Sequence, residues 1–232
     1  MRNDGLMNCK KIILTLCIVH CALCIVSAQP RLLQPEMYIG LQGGPIFTWT
    51  RFAPDVPGAK EIKSSTLLSG TGGLVFRYIG HKYCGLQVEV NYLQRGWRES
   101  IDDNGLNVHY RRELNYIEIP FLAHIWFGKK AVRGFFNVGP QIGYCFYEKS
   151  SGTEHPTIRY QYEKLDYPFD WGLTGGLGML VRTKKAGTWQ LEARFAYSFN
   201  DYFKNGKADY FQNSNPLTLA FTAGYLWEIK KK

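Results

Sequence analysis

The chain has 232 residues, a formal net charge of +9, 45% hydrophobic residues and 20% charged residues. This length suits one domain or one barrel, and the slightly polar average excludes a protein built mainly of membrane-spanning helices. The 15% aromatic residues and 24 glycines exclude a disordered chain and favour many strands joined by turns.

The N-terminal segment, residues 1–28, has the features of a secretory signal peptide. Lys10 and Lys11 supply the positive start, residues 12–26 form the apolar core, and small residues end the segment at Ala28. An uncleaved anchor helix is the alternative, but the run is short for a span of about 20 residues. We therefore predict export and cleavage, a lead-in over residues 29–36 and a barrel domain over residues 37–232.

Cleavage leaves two of the six cysteines, Cys84 and Cys145, in the mature chain, whichever of Met1 and Met7 is the start. Two cysteines make no disulfide framework, and neither has neighbours at metal-ligand spacing. Both fall inside stretches that look like strands. We predict packing roles for them, and neither a metal site nor a cofactor.

The mature chain alternates between apolar and polar residues with a period of two. Leu191 and Phe195, for example, lie on one face of a strand, and Glu192 and Arg194 lie on the other. Each stretch is longer than the usual soluble strand of about 5–6 residues and suits a tilted membrane strand of about 9–11 residues. Eight stretches show the pattern: 38–49, 67–79, 83–97, 108–127, 132–146, 169–182, 189–199 and 217–229.

The connections between these stretches alternate between long and short. The long ones cover residues 50–66, 98–107, 149–167 and 200–215, and the short ones 80–82, 128–133 and 183–187. Outer-membrane barrels have long external loops and short periplasmic turns. The pattern predicts an all-β fold, an eight-stranded antiparallel up-and-down transmembrane β-barrel, with short periplasmic turns and four longer extracellular loops.

One face of these strands is polar, and alternation alone leaves open whether that face points inward. A soluble periplasmic, lipocalin-like binding barrel has its apolar face inside, whereas a membrane barrel has it outside. Aromatic residues near strand ends, and an apolar face too bulky for a small interior, favour the membrane barrel. The polar face carries Arg77, Gln87, Glu89, Asn91, Glu118, His124, Asn137, Gln141, Asp170, Gln190, Glu192 and Arg194.

Four motifs support a family resemblance: residues 38–44 (YIGLQGG), 114–120 (LNYIEIP), 136–140 (FNVGP) and 170–178 (DWGLTGGLG). With them, residues 37–229 resemble the PorT-like outer-membrane β-barrel proteins, the outer membrane protein beta-barrel domain group. The resemblance implies an eight-stranded barrel in the outer membrane of a Gram-negative bacterium. The name-giving member belongs to a protein secretion system, which makes a secretion component the alternative function.

The interior of an eight-stranded barrel is just wide enough for side chains to fill. Charges in that space must be paired or solvated, so we predict an interior polar network of ion pairs and water. A proton or ion path is the alternative. Since nothing spaces His109, His124 and Ser198 as a nucleophile and its base, we expect no enzyme. The predicted interior network comprises Arg77, Glu89, Glu118, Glu192 and Arg194.

Basic residues concentrate on the predicted periplasmic side: Lys82, Lys129, Lys130, Arg133, Arg182, Lys184, Lys185, Lys230, Lys231 and Lys232. Almost no acidic residue accompanies them in the sequence. We expect this basic periplasmic rim to meet anionic phospholipid headgroups or an acidic periplasmic partner, with a merely solvated rim as the alternative. Nucleic acid is not an expected partner, because the protein is exported and the bases are confined to turns.

Aromatic residues at the edges of the long loops suggest a second interaction surface. Adhesion to a surface or to a partner protein is one interpretation, and packing of the loops against each other is the other. We predict a monomeric barrel with a structural or interaction role. The loop aromatics are Trp97, Tyr160, Tyr162, Tyr167, Tyr202, Phe203, Tyr210 and Phe211.

Overall fold

The computed structural model describes residues 31–54, 64–103, 106–128, 131–152, 164–183, 187–202 and 211–229. Residues 1–28, and with them the predicted signal peptide, lie outside this part of the chain. No helix among the described residues is long and apolar enough to cross a membrane. The eight long strands are β1 (Arg31–Pro54), β2 (Leu67–His81), β3 (Cys84–Asp103), β4 (Leu106–Phe127), β5 (Val132–Gly152), β6 (Phe169–Arg182), β7 (Thr188–Ser198) and β8 (Phe211–Glu228).

Each long strand pairs antiparallel with the next one along the chain, and β1 also pairs with β8. The closing register places Ile39 opposite Trp227 and Leu41 opposite Tyr225. A further two-residue strand, Ser64–Ser65, pairs with β3 at the edge of the barrel. The predicted eight-stranded, closed, up-and-down barrel is confirmed.

The two faces of the barrel wall have opposite character. On β2, Leu74 is 53% exposed and Phe76 is also exposed, whereas the alternate residues Val75 and Arg77 are buried, Arg77 to 2% exposure. All twelve residues of the predicted polar face are buried inside. Because the apolar face points outward, the structure supports a membrane barrel and excludes the lipocalin-like alternative, which requires the reverse arrangement.

Inward glycines allow close approach of a neighbouring strand or of an interior side chain. A Cβ atom on Gly139 would lie 1.9 Å from the carbonyl oxygen of Phe121, and one on Gly176 would lie 2.3 Å from a carboxylate oxygen of Glu192. Gly176 belongs to one of the two glycine clusters of the sequence. The cluster thus serves close approach inside the barrel wall rather than phosphate binding at a helix.

The strands are longer than the alternation predicts. β1 begins at Arg31, inside the segment predicted as a lead-in. The predicted long connection over residues 98–107 is corrected: β3 runs to Asp103 and β4 begins at Leu106, so only Asn104 and Gly105 separate them. Asn-Gly is the pair of residues that tight hairpins prefer.

The barrel has two ends, which we name by their connections. The near end carries the connections after β2, β4 and β6, together with the start of β1 and the end of β8. The far end carries the connections after β1, β3, β5 and β7. The near end corresponds to the predicted periplasmic side, and the far end to the predicted extracellular side.

Candidate functional site

The middle of the lumen is filled by charged residues in direct contact. Arg194 on β7 donates to the two carboxylate oxygens of Glu89 on β3 at 2.6 and 2.7 Å. It also donates to Glu192 at 2.9 and 3.1 Å. Gln42 and Asn91 donate further hydrogen bonds to Glu89 at 2.6 and 2.8 Å. Each buried charge in this central layer therefore has the partners that burial requires.

The layer on the near-end side is built largely from amides. Nε of Arg77 donates to Oε1 of Gln87, and its Nη2 donates to Oε1 of Gln190, both at 2.6 Å. Among the described residues, no carboxylate forms an ion pair with Arg77. Nδ1 of His124 lies 2.7 Å from Oδ1 of Asn137. This layer therefore holds a buried cation through neutral partners.

A third layer lies toward the far end. Arg95 on β3 contacts Glu118 on β4 and donates to Oδ2 of Asp170 on β6 at 2.5 Å. Ser198 donates to the same Asp170 oxygen at 2.7 Å, and the Arg95 guanidinium lies 5.2 Å from the centre of the Tyr116 ring. One guanidinium thus links strands from opposite parts of the barrel wall.

Aromatic residues close the far end of the described lumen. Trp97 stacks on Tyr202 with ring centroids 5.5 Å apart, and its indole nitrogen donates to Glu99 at 2.6 Å. Leu114 packs in the same cluster. The Arg112 guanidinium lies 5.8 Å from the centre of the Trp97 ring. These contacts form a cap above the third layer.

For Trp97 and Tyr202, the cap supports the packing interpretation of the loop aromatics rather than adhesion. Trp97 is 0% exposed, because it lies two residues after Arg95 and points to the same inner face of β3. Tyr202, which stacks on it, is 3% exposed. Tyr167, by contrast, is 43% exposed, in keeping with the adhesion interpretation. The side chains of the other five lie outside the described part of the structure: Tyr160, Tyr162, Phe203, Tyr210 and Phe211.

The structure describes three members of the basic periplasmic rim. Lys82 is exposed and lies over the Tyr83 ring at 5.2 Å, and the Arg133 guanidinium lies 4.0 Å from the centre of the Trp126 ring. Arg182, the third member, is half-buried at the near mouth. The remaining seven rim residues lie outside the described residues: Lys129, Lys130, Lys184, Lys185, Lys230, Lys231 and Lys232.

Acidic residues also lie at this rim, which corrects the expectation that almost no acidic residue accompanies the basic ones. Arg182 donates to Glu36 at 3.1 and 3.2 Å and to Glu228 at 2.9 Å. Tyr38 donates to the same Glu36 carboxylate at 2.6 Å. Strand closure brings these acids to the rim, because Glu228 pairs with Tyr38 across β1 and β8.

Small cavities remain between the layers of side chains. One of about 30 Å³ lies between Gln42, Asn91, Glu118 and Arg194. A water molecule needs about 10–15 Å³ of such space, so this cavity holds about two water molecules. Side chains thus fill the described lumen and leave room for only one or two waters in such a cavity.

The five predicted interior charges are all buried, but they do not form one cluster. Glu89, Glu192 and Arg194 contact each other, Arg77 binds amides, and Glu118 pairs with Arg95. Sequence reasoning did not single out Arg95. Among the described residues, no group of three or more His, Cys, Asp or Glu side chains is placed to hold a metal ion.

Comparison with known proteins agrees with this architecture. The family model described as outer membrane protein beta-barrel domain matches residues 28–204. The comparison with curated proteins gave no match. Among solved structures, OprG of Pseudomonas aeruginosa is similar at 14% identity and a TM-score of 0.52, covering 83% of this chain and 96% of OprG.

Two further solved structures are similar at lower TM-scores. Outer membrane protein W of E. coli shares 15% identity at a TM-score of 0.40, covering 84% of this chain and 100% of that protein. Ail, the attachment invasion locus protein of Yersinia pestis, shares 14% identity at a TM-score of 0.39. The match covers 83% of this chain and 99% of Ail. At these identities, the likeness to OprG concerns the fold alone.

Proposed function

Because this chain belongs to the outer membrane protein beta-barrel domain family, we propose that it is a non-conducting outer-membrane barrel with a structural and partner-binding role. The observation that carries the proposal is the filled lumen. Three layers of hydrogen-bonded charges and an aromatic cap occupy its described part. A barrel of eight strands packed in this way leaves no room for solute diffusion. Export through a cleaved signal peptide is part of this proposal.

The proposed role includes no catalytic step. Ser198 donates to Asp170 in the third layer, whereas His124 contacts Asn137 in the near-end layer. A nucleophile and its base have to lie within hydrogen-bond reach of each other. The separate partners of these two residues support a non-catalytic role for both.

The far end offers a surface for a partner. Arg98 and Arg111 lie directly opposite each other on β3 and β4, and both are at least partly exposed on the outer face. Like charges in that position are destabilising unless an anion lies nearby. Glu113 pairs with Arg111, and Lys149 adds a further exposed base opposite Glu113. This excess of positive charge supports contact with an acidic partner surface.

The basic periplasmic rim supports a second contact, with anionic phospholipid headgroups or with an acidic periplasmic protein. Its test replaces the rim lysines by glutamine. We expect reduced dependence of assembly on anionic lipid. Unchanged assembly, lipid dependence and partner recovery would leave only a solvated rim.

Membership in a protein secretion system is the alternative role, supported by the sequence resemblance to PorT-like proteins. Affinity purification of the tagged protein from cross-linked cells distinguishes it from the leading proposal. Recovery of periplasmic secretion components in stoichiometric amounts would favour the secretion role. Their absence, with recovery of surface components, would favour the role proposed first.

Conductance measurement tests the proposal most directly. The mature chain is refolded, checked for the heat-sensitive mobility of a folded barrel, and inserted into planar lipid bilayers. We expect insertion without discrete current steps in 1 M salt. Stable single-channel steps from protein that is fully folded would overturn the non-conducting proposal.

A further inference from the structure

We propose that the near mouth of the lumen contains a binding site for a single phosphate group. Arg77 and Arg133 provide positive charge, and Trp126 and His124 provide further polar contacts. The site is independent of the interaction role proposed above, because it lies inside the mouth rather than on an outer surface.

A cavity of about 20 Å³ defines the site. Arg77 and His124 lie at its inner side, in the near-end layer of the lumen, and Arg133, Arg182 and Trp126 come from the rim. A space of this size takes one or two atoms as large as a water molecule. At the mouth of the lumen it therefore takes one or two oxygens of a phosphate group, with the rest of the group outside it, and it is too small for a nucleotide base.

Arg77 gives the first reason to expect an anion. It is buried, and within the described residues its guanidinium donates only to the neutral amides of Gln87 and Gln190. The nearest layer of carboxylates, Glu89 and Glu192, is already bound by Arg194. A buried cation without a contacting anion is costly, and an oxyanion in the adjoining cavity would remove that cost.

Two ring nitrogens beside the cavity give the second reason. Nε2 of His124 and Nε1 of Trp126 are both buried, and neither has a hydrogen-bond partner among the described residues. Native proteins rarely leave buried polar atoms unpaired, and such atoms need an explanation, a bound ion among them. Both residues line the same cavity as Arg77.

The acids of the rim offset only part of the positive charge around this cavity, although Glu36 itself lines it beside three arginines. Glu36 and Glu228 both contact Arg182, and Glu36 also accepts a hydrogen bond from Tyr38. One guanidinium and one hydroxyl thus engage these carboxylates. The Arg133 guanidinium lies 4.0 Å from the centre of the Trp126 ring, and both residues line the cavity.

The hydrogen bonds of His124 indicate which oxyanion fits. Asn137 donates through its Nδ2 to Glu192, so its Oδ1 accepts from Nδ1 of His124, and Nε2 of the neutral ring is an acceptor. The ligand must therefore donate one hydrogen bond as well as accept several. Hydrogen phosphate does both, as does a phosphate monoester in its singly protonated form, whereas a phospholipid diester accepts without a P–OH group to donate.

The test follows the Trp126 indole N–H of the folded mature chain by NMR. The protein carries ¹⁵N-labelled tryptophan, Trp126→Phe assigns the resonance, and inorganic phosphate replaces chloride at constant ionic strength. We expect a saturable shift of the Trp126 signal. Arg133→Gln should weaken the apparent affinity about tenfold, the scale of one charge-assisted hydrogen bond.

Lys82→Gln is the matched control, since it removes the same charge from an exposed rim residue outside the cavity. It should bind phosphate as the wild type does. Each variant is first shown to fold by its heat-sensitive gel mobility. If Arg133→Gln does not fold, Arg133→Lys replaces it and should also weaken binding, because an ammonium cannot both stack on Trp126 and offer paired donors.

A second arm separates the sources of phosphate. In phosphatidylglycerol nanodiscs without free phosphate, a Trp126 signal already at its saturated position would identify a lipid headgroup as the occupant and would overturn the requirement for a P–OH donor. A signal that moves only when inorganic phosphate is added would identify a free phosphate. No saturable shift in either arm, or equal weakening by Arg133→Gln and Lys82→Gln, would overturn the site.

Discussion

The central layer predicts a large loss of stability when its one guanidinium is removed. Arg194→Met leaves Glu89 and Glu192, whose side chains are both 0% exposed, without the cation that binds them. Four hydrogen bonds to carboxylate oxygens disappear. Removal of one partner from a buried ion pair costs about 3–5 kcal/mol, so we expect the free energy of unfolding to fall by about that amount.

A compensated variant separates charge from packing. Glu89→Gln, Glu192→Gln and Arg194→Met together leave no charge in the central layer, and Gln42 can still donate to an amide oxygen at position 89. We expect this triple variant to recover most of the loss, because neutral replacement of a buried ion pair costs little. Arg98→Met, at an exposed position of β3, is the control and should change stability by less than about 0.5 kcal/mol.

Reversible urea unfolding in the presence of lipid vesicles provides the assay, with tryptophan fluorescence and gel mobility as independent probes. The slope of the free energy against urea should stay constant across the variants. A triple variant as unstable as Arg194→Met would show that the loss arises from packing. If the free energy of unfolding of Arg194→Met lies within about 0.5 kcal/mol of the wild-type value, the ion-pair reasoning is refuted.

Other predictions concern the barrel wall. Gly139→Ala should block folding or strongly destabilise the barrel, because the new Cβ would lie 1.9 Å from the backbone oxygen of Phe121. Gly175→Ala should be tolerated, since the atom nearest to its new Cβ would be 3.6 Å away. Equal folding yields for Gly139→Ala and Gly175→Ala would contradict this explanation. Leu74→Arg should cost about 2–4 kcal/mol in lipid if this exposed face lies in hydrocarbon, whereas Leu74→Met should be nearly neutral. Urea unfolding from bilayers compares these two variants, and an equal cost for both would argue against a lipid-facing position.

The sequence predicted the barrel wall well because one physical rule governs it. Successive side chains of a strand point to opposite faces, so an apolar solvent outside and a narrow polar lumen inside impose an alternation of apolar and polar residues. The alternation alone therefore assigns Leu74 and Arg77 to opposite faces. Pairing of each strand with the next followed from the turns between them.

The far end was predicted less well, because both faces of a strand can be polar outside the membrane and the alternation fades. The connection over residues 98–107 was predicted as a loop for that reason, although it consists almost entirely of strand. The inward parity of Glu89 and Asn91 extends to Arg95 and Trp97, so a signal for the third layer and the cap was present.

The partners inside the lumen depend on tertiary geometry. Strand tilt and register decide which charges from distant strands meet, and neither follows from the spacing of residues along the chain. Glu118 thus pairs with Arg95 rather than with Arg194. In the same way, closure of β1 on β8 brought Glu228 beside Arg182, where the sequence alone suggested a uniformly basic rim.

One measurement tests the account as a whole: the mobility of the mature chain on SDS gels, unboiled and boiled, after extraction from outer-membrane fractions. A closed barrel with an apolar outer face should resist the detergent, so the unboiled form should migrate faster than the boiled one. Recovery of the chain from the soluble periplasm, with the same mobility before and after boiling, would contradict the membrane barrel.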